Sequence, residues 1–275
     1  MGVYHINRDG MICLTGDVHH SSLQTADIPY CQGTEIDASL RMAKIAEKYS
    51  IPLTLFFTGK CSKESPKIMK QIASMQNIEI AGHNYYAFQP RCLFDGYQKF
   101  SGLKNGPYFF QWIEVGKTKK ALSKACQVSI TSWRDHGYRH DVNTRKILAS
   151  HKINVISDIL SKNGGQPKWI DGVLDVPINC LPDHDYVFHG SRQPNSIDNK
   201  KLLNTHFAVL PMTKEKWLHH IKNDIDTLIT NNNIATLLTH PACMEIFDDF
   251  YTFKQLCQHI KKYHAVLMKN LPQYV

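Results

Sequence analysis

Ile12-Cys13-Leu14-Thr15-Gly16-Asp17-Val18-His19-His20 is the stretch of sequence that decides the fold. It starts as an apolar run with β-branched members and ends in an acid and two imidazoles. Such a run is typical of a buried parallel strand, and α/β folds place their chemistry at the C-terminal ends of these strands. Side chains on an extended chain repeat every second residue, so Asp17 and His19 face the same way. The stretch therefore predicts half of a metal site.

The rest of the chain alternates strand-like and helix-like segments. Further strands are predicted at 51–59, 78–82, 128–133, 154–158, 173–178 and 234–239. Helices are predicted at 35–49, 65–74, 117–125, 143–150, 213–230 and 252–269. About seven strands that alternate with helices indicate a parallel barrel or a doubly wound sheet. No repeat or linker divides the chain, so a single domain over residues 1–275 is expected.

Residues 88–112 are rich in aromatic side chains and are predicted to form an irregular insertion. A long insertion of this kind is more often a lid or a substrate wall than a plain linker. Tyr85, Tyr86 and Phe88 stand just before or at its start. They could stack on a sugar ring, although an aromatic residue after a strand is more often part of the core.

The composition is that of an ordinary globular protein, with 43% apolar and 20% charged residues. The eight cysteines form no CxxC pair and are predicted to be reduced thiols. No apolar window is long enough for a membrane helix, and the N-terminus lacks the order of a signal peptide, so a cytoplasmic protein is expected. The net charge of +8 suits an anionic substrate carrier, such as a diphosphate-linked lipid, or a solvated basic surface. No motif indicates nucleic-acid binding.

Acids, imidazoles and one arginine follow several of the predicted strands. A lone Asp or His at a strand end is usually a turn or cap residue. Several at the same end of successive strands are harder to explain in that way, because these ends converge in a parallel barrel. They predict a hydrolytic site with one divalent cation. A further polar cluster at 181–189 fits either a loop at the barrel edge or a solvated loop. The residues at strand ends are Asp17, His19, His83, Arg134, His136, Asp158 and His240.

The order of five motifs resembles that of the polysaccharide deacetylase (NodB-homology) family of carbohydrate esterases. The motifs are TGDVHH at 15–20, FFTGK at 56–60, GHNYYAF at 82–88, SWRDHGYRHD at 132–141 and LLTHP at 237–241. The resemblance spans about residues 10 to 265. It implies an irregular (β/α)7 barrel, one divalent cation that is commonly zinc, and removal of N- or O-acetyl groups from amino sugars.

The resemblance also implies a role for four residues of this chain. Asp17 matches the aspartate that acts as the general base, and His83 matches the first metal-binding histidine. Arg134 matches the arginine that orients the base. His240 matches the late histidine that protonates the leaving amine.

Two positions depart from the family pattern. Val18 stands where the family has a metal-binding aspartate, and Ala87 where it has the second histidine of an H-x-x-x-H pair. His19 is expected to take over the role of the aspartate, and His136 or His140 to supply a third imidazole. Neutral imidazoles would favour zinc or a similar metal. The predicted cation ligands are Asp17, His19, His83 and His136.

The function that follows is a metal-dependent deacetylase acting on a carbohydrate, such as a nucleotide- or lipid-linked intermediate of a surface polysaccharide. Two alternatives stay open: hydrolysis of another non-peptide C–N bond on the same scaffold, and a carbohydrate-binding protein that has lost its metal. Leu238 stands where the family lines its acetyl pocket. The substrate-binding candidates are Tyr85, Tyr86, Trp133 and Leu238.

Overall fold

The computed structural model describes residues 10–162, 164–194 and 207–275. Its strands are β1 (Met11–Val18), β2 (Leu53–Phe57), β3 (Ile78–Gly82), β4 (Ser132–Trp133), β5 (Val155–Ile156), β6 (Lys168–Ile170), β7 (Val173–Asp175), β8 (Ile234–Leu238) and β9 (His264–Ala265). They form one sheet in the order β6-β7-β5-β4-β3-β2-β1-β8, with β9 beside β1. Along this path every pair is parallel except β6 and β7. Seven parallel strands therefore form the frame.

Helices connect the strands and cover the outer face of the sheet. They are α1 (Glu35–Lys48), α2 (Cys61–Glu64), α3 (Pro66–Ala73), α4 (Arg91–Ser101), α5 (Tyr108–Cys126), α6 (Thr144–Ser150), α7 (Lys214–Thr230), α8 (Pro241–Asp248) and α9 (Tyr251–Ile260). The start of α1 is defined by a capping box, in which the side chains of Thr34 and Asp37 each bind the backbone N–H of the other. Most of the helices predicted from periodicity are confirmed.

The side chains of β1 alternate between two apolar cores. Ile12, Leu14 and Val18 pack in the core between the sheet and the helices. Cys13 packs in a second core inside the curled sheet. Because the period is two, Asp17 points to the inside as Cys13 does, and Val18 does not. Strand register therefore directs the acid of the first motif into the interior.

The sheet closes into a barrel through the side chain of Asn179, which follows β7. Its amide donates to the carbonyl of Ile234 at 2.8 Å and accepts from the N–H of Thr236 at 2.8 Å. The backbone N–H of Asn179 also donates to the carbonyl of Thr236 at 3.2 Å. A side-chain amide thus takes the place of a peptide group in the ladder beside β8 and joins the two ends of the parallel path.

The predicted irregular insertion at 88–112 is wrong in its local structure, since it consists of α4, a short turn and the start of α5. Gly102, with φ of 73°, ends α4. Most aromatic side chains of this segment are exposed to solvent, and Phe100 is 95% exposed. Within 88–112 only Arg91 lines the central cavity. The expected aromatic substrate wall is therefore not formed here.

The helix predicted over 252–269 is also too long. It ends at Ile260, and the chain continues into β9, which pairs with Met11 and Ile12. β9 forms because the first residues of β1 have a free edge. β2 begins opposite Leu14, so Met11 and Ile12 have no partner in β2. Tertiary pairing overrides helix propensity at this position. The antiparallel β6 was not predicted either.

Two predictions from composition can be compared with the structure. All eight cysteines carry free thiols, as predicted for reduced residues. None of the helices in the described ranges combines the length and the apolar character that a membrane crossing requires.

The seam of the barrel can be tested with Asn179→Ala. This substitution leaves the carbonyl of Ile234 and the N–H of Thr236 without their partners in the interior. We expect the free energy of unfolding to fall by about 2–4 kcal/mol, measured by urea denaturation. The matched control is Asn231→Ala, because Asn231 is exposed and its amide donates to the carbonyl of Thr227 in the preceding helical turn. An equal loss in the two variants would contradict the role of Asn179.

Candidate metal centre and its acid–base residues

A polar cavity of about 410 Å³ opens at the C-terminal ends of the parallel strands. Five residues predicted from the sequence line it: Asp17, His19, His83, His136 and His240. They come from the end of β1 and from the segments that follow β1, β3, β4 and β8. The convergence predicted from strand ends is therefore present in the structure.

Three imidazoles face one another in this cavity. The ring centroids of His19 and His136 are 4.9 Å apart. The ring centroid of His83 lies 5.3 Å from that of His19 and 5.4 Å from that of His136. Each ring offers a nitrogen, and these three nitrogens lie within 4.8 Å of one another. Such spacing allows one ion to contact all three.

His19 is oriented by the first residue of α1. The Nδ1 of His19 lies 2.8 Å from Oε2 of Glu35, and the backbone N–H of His19 donates to the same oxygen at 3.0 Å. The Nε2 of His19 is buried without a hydrogen-bond partner within the described residues. Burial alone would lower the pKa of His19, but Glu35 raises it above its ordinary value. A carboxylate that holds Nδ1–H leaves Nε2 free to bind a cation.

His83 and His136 are neutral imidazoles near pH 7. The Nδ1–H of His83 donates to the carbonyl of Arg134 at 2.8 Å, and its Nε2 is buried without a partner in the described part of the chain. Burial lowers the pKa of His83 to about 4, against the opposite effect of Asp17. Burial and the neighbouring imidazoles hold the pKa of His136 well below its usual range. Both rings are therefore ready to act as ligands.

These three residues fit a divalent cation of the zinc type. Two buried imidazole nitrogens with free lone pairs point into a cavity, and a third imidazole lies beside them. Three protein ligands and one open position are typical of catalytic zinc sites, and imidazole suits zinc. His136, rather than His140, completes the set. His140 lies outside the cavity lining, with Nδ1 at 3.9 Å from Asp158.

Asp17 is held beside the imidazoles by Arg134. The Nη1 of Arg134 donates to Oδ1 of Asp17 at 2.8 Å, and Oδ2 lies 4.0 Å from the Nε2 atoms of both His83 and His240. Burial alone would raise the pKa of Asp17, but Arg134, His83 and His240 together hold it well below its usual range. Asp17 is thus an ionised carboxylate with one oxygen directed at the site.

His240 forms a pair with Asp183. The Nδ1 of His240 lies 2.7 Å from Oδ1 of Asp183, whose Oδ2 accepts the backbone N–H of His240 at 2.6 Å. Burial alone would lower the pKa of His240, but Asp183 raises it to about 9. Below that pH His240 carries a proton, and its Nε2 faces Asp17 across the cavity.

Four predicted substrate-binding residues do not line the cavity. Tyr85 and Trp133 are almost fully buried, with Lys117 over the ring of Tyr85 and the indole N–H of Trp133 donating to Asp135. Tyr86 packs against Tyr85 on the outer surface, and Leu238 is buried in β8.

Asp158, which follows β5, also lies outside the cavity lining. Its carboxylate accepts the backbone N–H of Asp135 at 2.7 Å. These side chains therefore belong to the interior of the protein or to its outer surface, and not to the cavity wall.

Several functional residues were missed or left open by the sequence analysis. Glu35 has the sequence context of an ordinary acid in the first turn of a helix, and nothing there indicates its contact with His19. Asp183 belongs to the polar cluster at 181–189, which the analysis left between a barrel-edge loop and a solvated loop. The aromatic side chains in the cavity lining are Tyr138 and Tyr186.

Known structures share this arrangement of strands and helices. A Mycobacterium smegmatis protein described as a polysaccharide deacetylase aligns with a TM-score of 0.71 at 13% identity, over 100% of this chain and 92% of its own. PuuE allantoinase aligns with a TM-score of 0.64 at 10% identity, over 96% of this chain and 88% of its own. A Bacillus anthracis protein described as a CE4 family pseudoenzyme has a TM-score of 0.51 at 14% identity, over 97% of this chain and 66% of its own.

At these identities the likeness establishes the fold. It confirms the predicted irregular (β/α)7 barrel of the deacetylase type. No protein-family model and no curated sequence matches the chain. The catalytic role of each side chain therefore rests on the geometry of the cavity.

The support of His19 can be tested with Glu35→Gln. The amide cannot supply the negative charge that orients His19 and favours a bound cation, so we expect zinc affinity to fall by about 10- to 100-fold. Competition with a coloured chelator measures this affinity. Glu64→Gln is the matched control, because Glu64 binds Ser22 and Lys60 away from the cavity. Unchanged zinc affinity in Glu35→Gln would argue against the centre described here.

Proposed function

We propose that this protein is a metal-dependent hydrolase that removes an acetyl group from an amino sugar or a glycan intermediate. The observation that carries the proposal is the convergence of three imidazole nitrogens beside the ionised Asp17. The cavity around them, of about 410 Å³, has the volume of a small-molecule site. Acyl transfer to water needs an electrophilic centre, a base and an acid, and this set of residues offers all three.

A divalent cation held by His19, His83 and His136 would supply a Lewis acid that polarises the acetyl carbonyl and acidifies water. Asp17 acts as the general base through Oδ2, since Oδ1 is occupied by Arg134. Its low pKa keeps it ionised at neutral pH. Arg134 is a positioning residue, because it is fully buried and contacts the base rather than the cavity.

His240 acts as the general acid. Its pKa of about 9 keeps it protonated at neutral pH, and its Nε2 lies 4.0 Å from Oδ2 of Asp17. Base and acid therefore lie side by side and face the same region of the cavity, where the amide group of the substrate would bind. His240 gives its proton to the leaving nitrogen as the C–N bond breaks, so the amine departs neutral. The proton that Asp17 took from water then passes to His240, which restores both groups.

The cavity lining supports a polar and anionic substrate. Tyr138, which is half-buried, supplies a ring against which a sugar could lie. Arg91 and Arg192 also line the cavity, and the chain as a whole carries a net charge of +8. We propose a nucleotide- or lipid-linked sugar, whose diphosphate would meet these guanidinium groups.

The two alternative functions make different predictions for the same purified protein. Hydrolysis of another C–N bond would give turnover of small cyclic or linear amides in preference to acetylated amino sugars. A metal-free binding protein would bind sugar, release no acetate and hold no stoichiometric metal. Acetate release together with metal content separates the three.

We expect Asp17→Asn and His240→Ala each to lower kcat for acetate release by about 10²- to 10⁴-fold, since each removes a proton-transfer group. Release of acetate from an N-acetylated amino sugar by the zinc-loaded protein is the measurement. His219→Ala is the control, because His219 is exposed on α7, bonds to Asn223 and does not line the cavity. Full activity in both test variants would rule out the proposed chemistry.

The pH dependence of activity tests the pair formed by His240 and Asp183. The acid is protonated below a pKa of about 9, so activity is expected to fall as the pH rises through that value. In Asp183→Asn the carboxylate that raises the pKa is gone, and the alkaline limb should move down by about one pH unit or more. Asp226→Asn is the control, because Asp226 forms a similar pair with His259 outside the cavity. A limb at the same pH in wild type and Asp183→Asn would refute the assignment.

A further inference from the structure

A second group of side chains with metal-ligating atoms lies in the wall of the cavity, apart from the three imidazoles. It consists of Asp27, His184, His189 and Cys243, and one ligand atom from each lies within 4.8 Å of the others. The residues come from three separate segments: the connection between β1 and α1, the loop after β7, and α8. We refer to this group as the Cys243 cluster.

The carboxylate of Asp27 is buried in the cluster without full compensation. Its side chain is about 7% exposed, and Oδ1 has no hydrogen-bond partner among the described residues. Oδ1 lies 3.7 Å from Nε2 of His189, and Oδ2 lies 3.5 Å from Nδ1 of His184. A buried carboxylate oxygen without a partner costs free energy unless something absent from the protein chain binds it.

Nε2 of His189 and Sγ of Cys243 face each other inside the cluster. The Nδ1–H of His189 donates to the carbonyl of Val187 at 2.9 Å, which leaves the lone pair on Nε2. This Nε2 lies 3.3 Å from Sγ of Cys243, and Nδ1 of His184 lies 3.5 Å from the same sulfur. Both His189 and Cys243 are buried, so the sulfur is shielded from solvent.

His184 needs one rearrangement before it can act as a ligand. Nη2 of Arg192 lies 2.6 Å from Nε2 of His184, so the proton of the neutral ring is on Nδ1, towards the cluster. Arg192 also pairs with Asp185 at 2.9 Å. If Nη2 of Arg192 turns away from His184 while Nη1 keeps its pair with Asp185, the ring proton can shift to Nε2 and free the lone pair of Nδ1.

We propose that Asp27, His184, His189 and Cys243 bind a second divalent cation of the zinc type. One thiolate, two imidazoles and one carboxylate form a four-ligand set that zinc favours. Binding transfers the thiol proton of Cys243 to solvent, and the charges of the thiolate and the carboxylate then balance that of the cation. Cys243 also lies near Asp183 and His240, but those two side chains bind each other at 2.7 Å.

The second cation would have a structural role in the cavity wall. It joins the segment around Asp27 and the loop after β7 to α8, which begins directly after His240. Four ligands leave no open position for a substrate, as in structural zinc sites. The site does not depend on the three imidazoles of the hydrolytic centre.

Cobalt substitution tests this site separately from the hydrolytic one. Metal-free protein is titrated with Co²⁺ alone, and the near-ultraviolet charge-transfer band of a thiolate–cobalt bond is recorded. We expect the band to saturate by two equivalents in the wild type, which has both centres, and by one equivalent in His83→Ala. Cys243→Ser should show no band. Cys257→Ser is the matched control, because Cys257 is buried in the helical layer and should leave the band intact.

Asp27→Asn provides a second test that retains the thiol. The band should remain, but the apparent affinity for Co²⁺ should fall at least about tenfold, because one charged ligand is lost. Absence of the band in folded wild-type protein, its persistence in Cys243→Ser, or unchanged affinity in Asp27→Asn would each overturn the proposal. Failure of the hydrolytic centre would appear instead as loss of acetate release with the band unchanged.

Discussion

The buried ion pair between Arg134 and Asp17 is the interaction on which the site depends. The guanidinium group, fully buried, binds Thr15, Asp17 and both the carbonyl and hydroxyl of Ser157, so it joins the end of β1 to the segment after β5. The carbonyl of the same Arg134 accepts the Nδ1–H of His83. A buried pair of this kind gains little net stability, because removing both charges from water is costly. Its effect here is positional: one residue holds Asp17 ionised and turns Nε2 of His83 towards the cavity.

The sequence predicted the frame of the site because two simple periodicities act on it. Parallel strands end on one side, and side chains alternate along each strand, so Asp17, His19, His83 and His240 could be placed together from their positions alone. Glu35 and Asp183 could not be placed in this way. Tertiary packing decides which acid lies beside which imidazole. Aromatic residues after strands were predicted to bind substrate but lie outside the cavity lining, because local sequence does not say which side of a loop faces the cavity.

Strand register explains why Val18 does not face the cavity. Position 18 packs against the helices, and its side chain is part of the outer core. His19 follows after the strand has ended and returns to the cavity, where Glu35 holds it. The third imidazole, His136, comes from the segment after β4 while Ala87 is buried in the loop after β3. The three imidazoles therefore reach the cavity from the segments after β1, β3 and β4, and neither position 18 nor position 87 contributes to it.

The pairing of β1 with β8 also constrains how the chain can fold during synthesis. The hydroxyl of Thr15 in β1 donates to the carbonyl of Leu237 in β8, 222 residues later in the chain, and β9 joins β1 later still. Until β8 leaves the ribosome, one edge of the buried strand β1 has no partner. Contacts of such long sequence separation form slowly and expose apolar edges to other chains in the meantime. The edge of β1 therefore stays exposed until most of the chain has been synthesised.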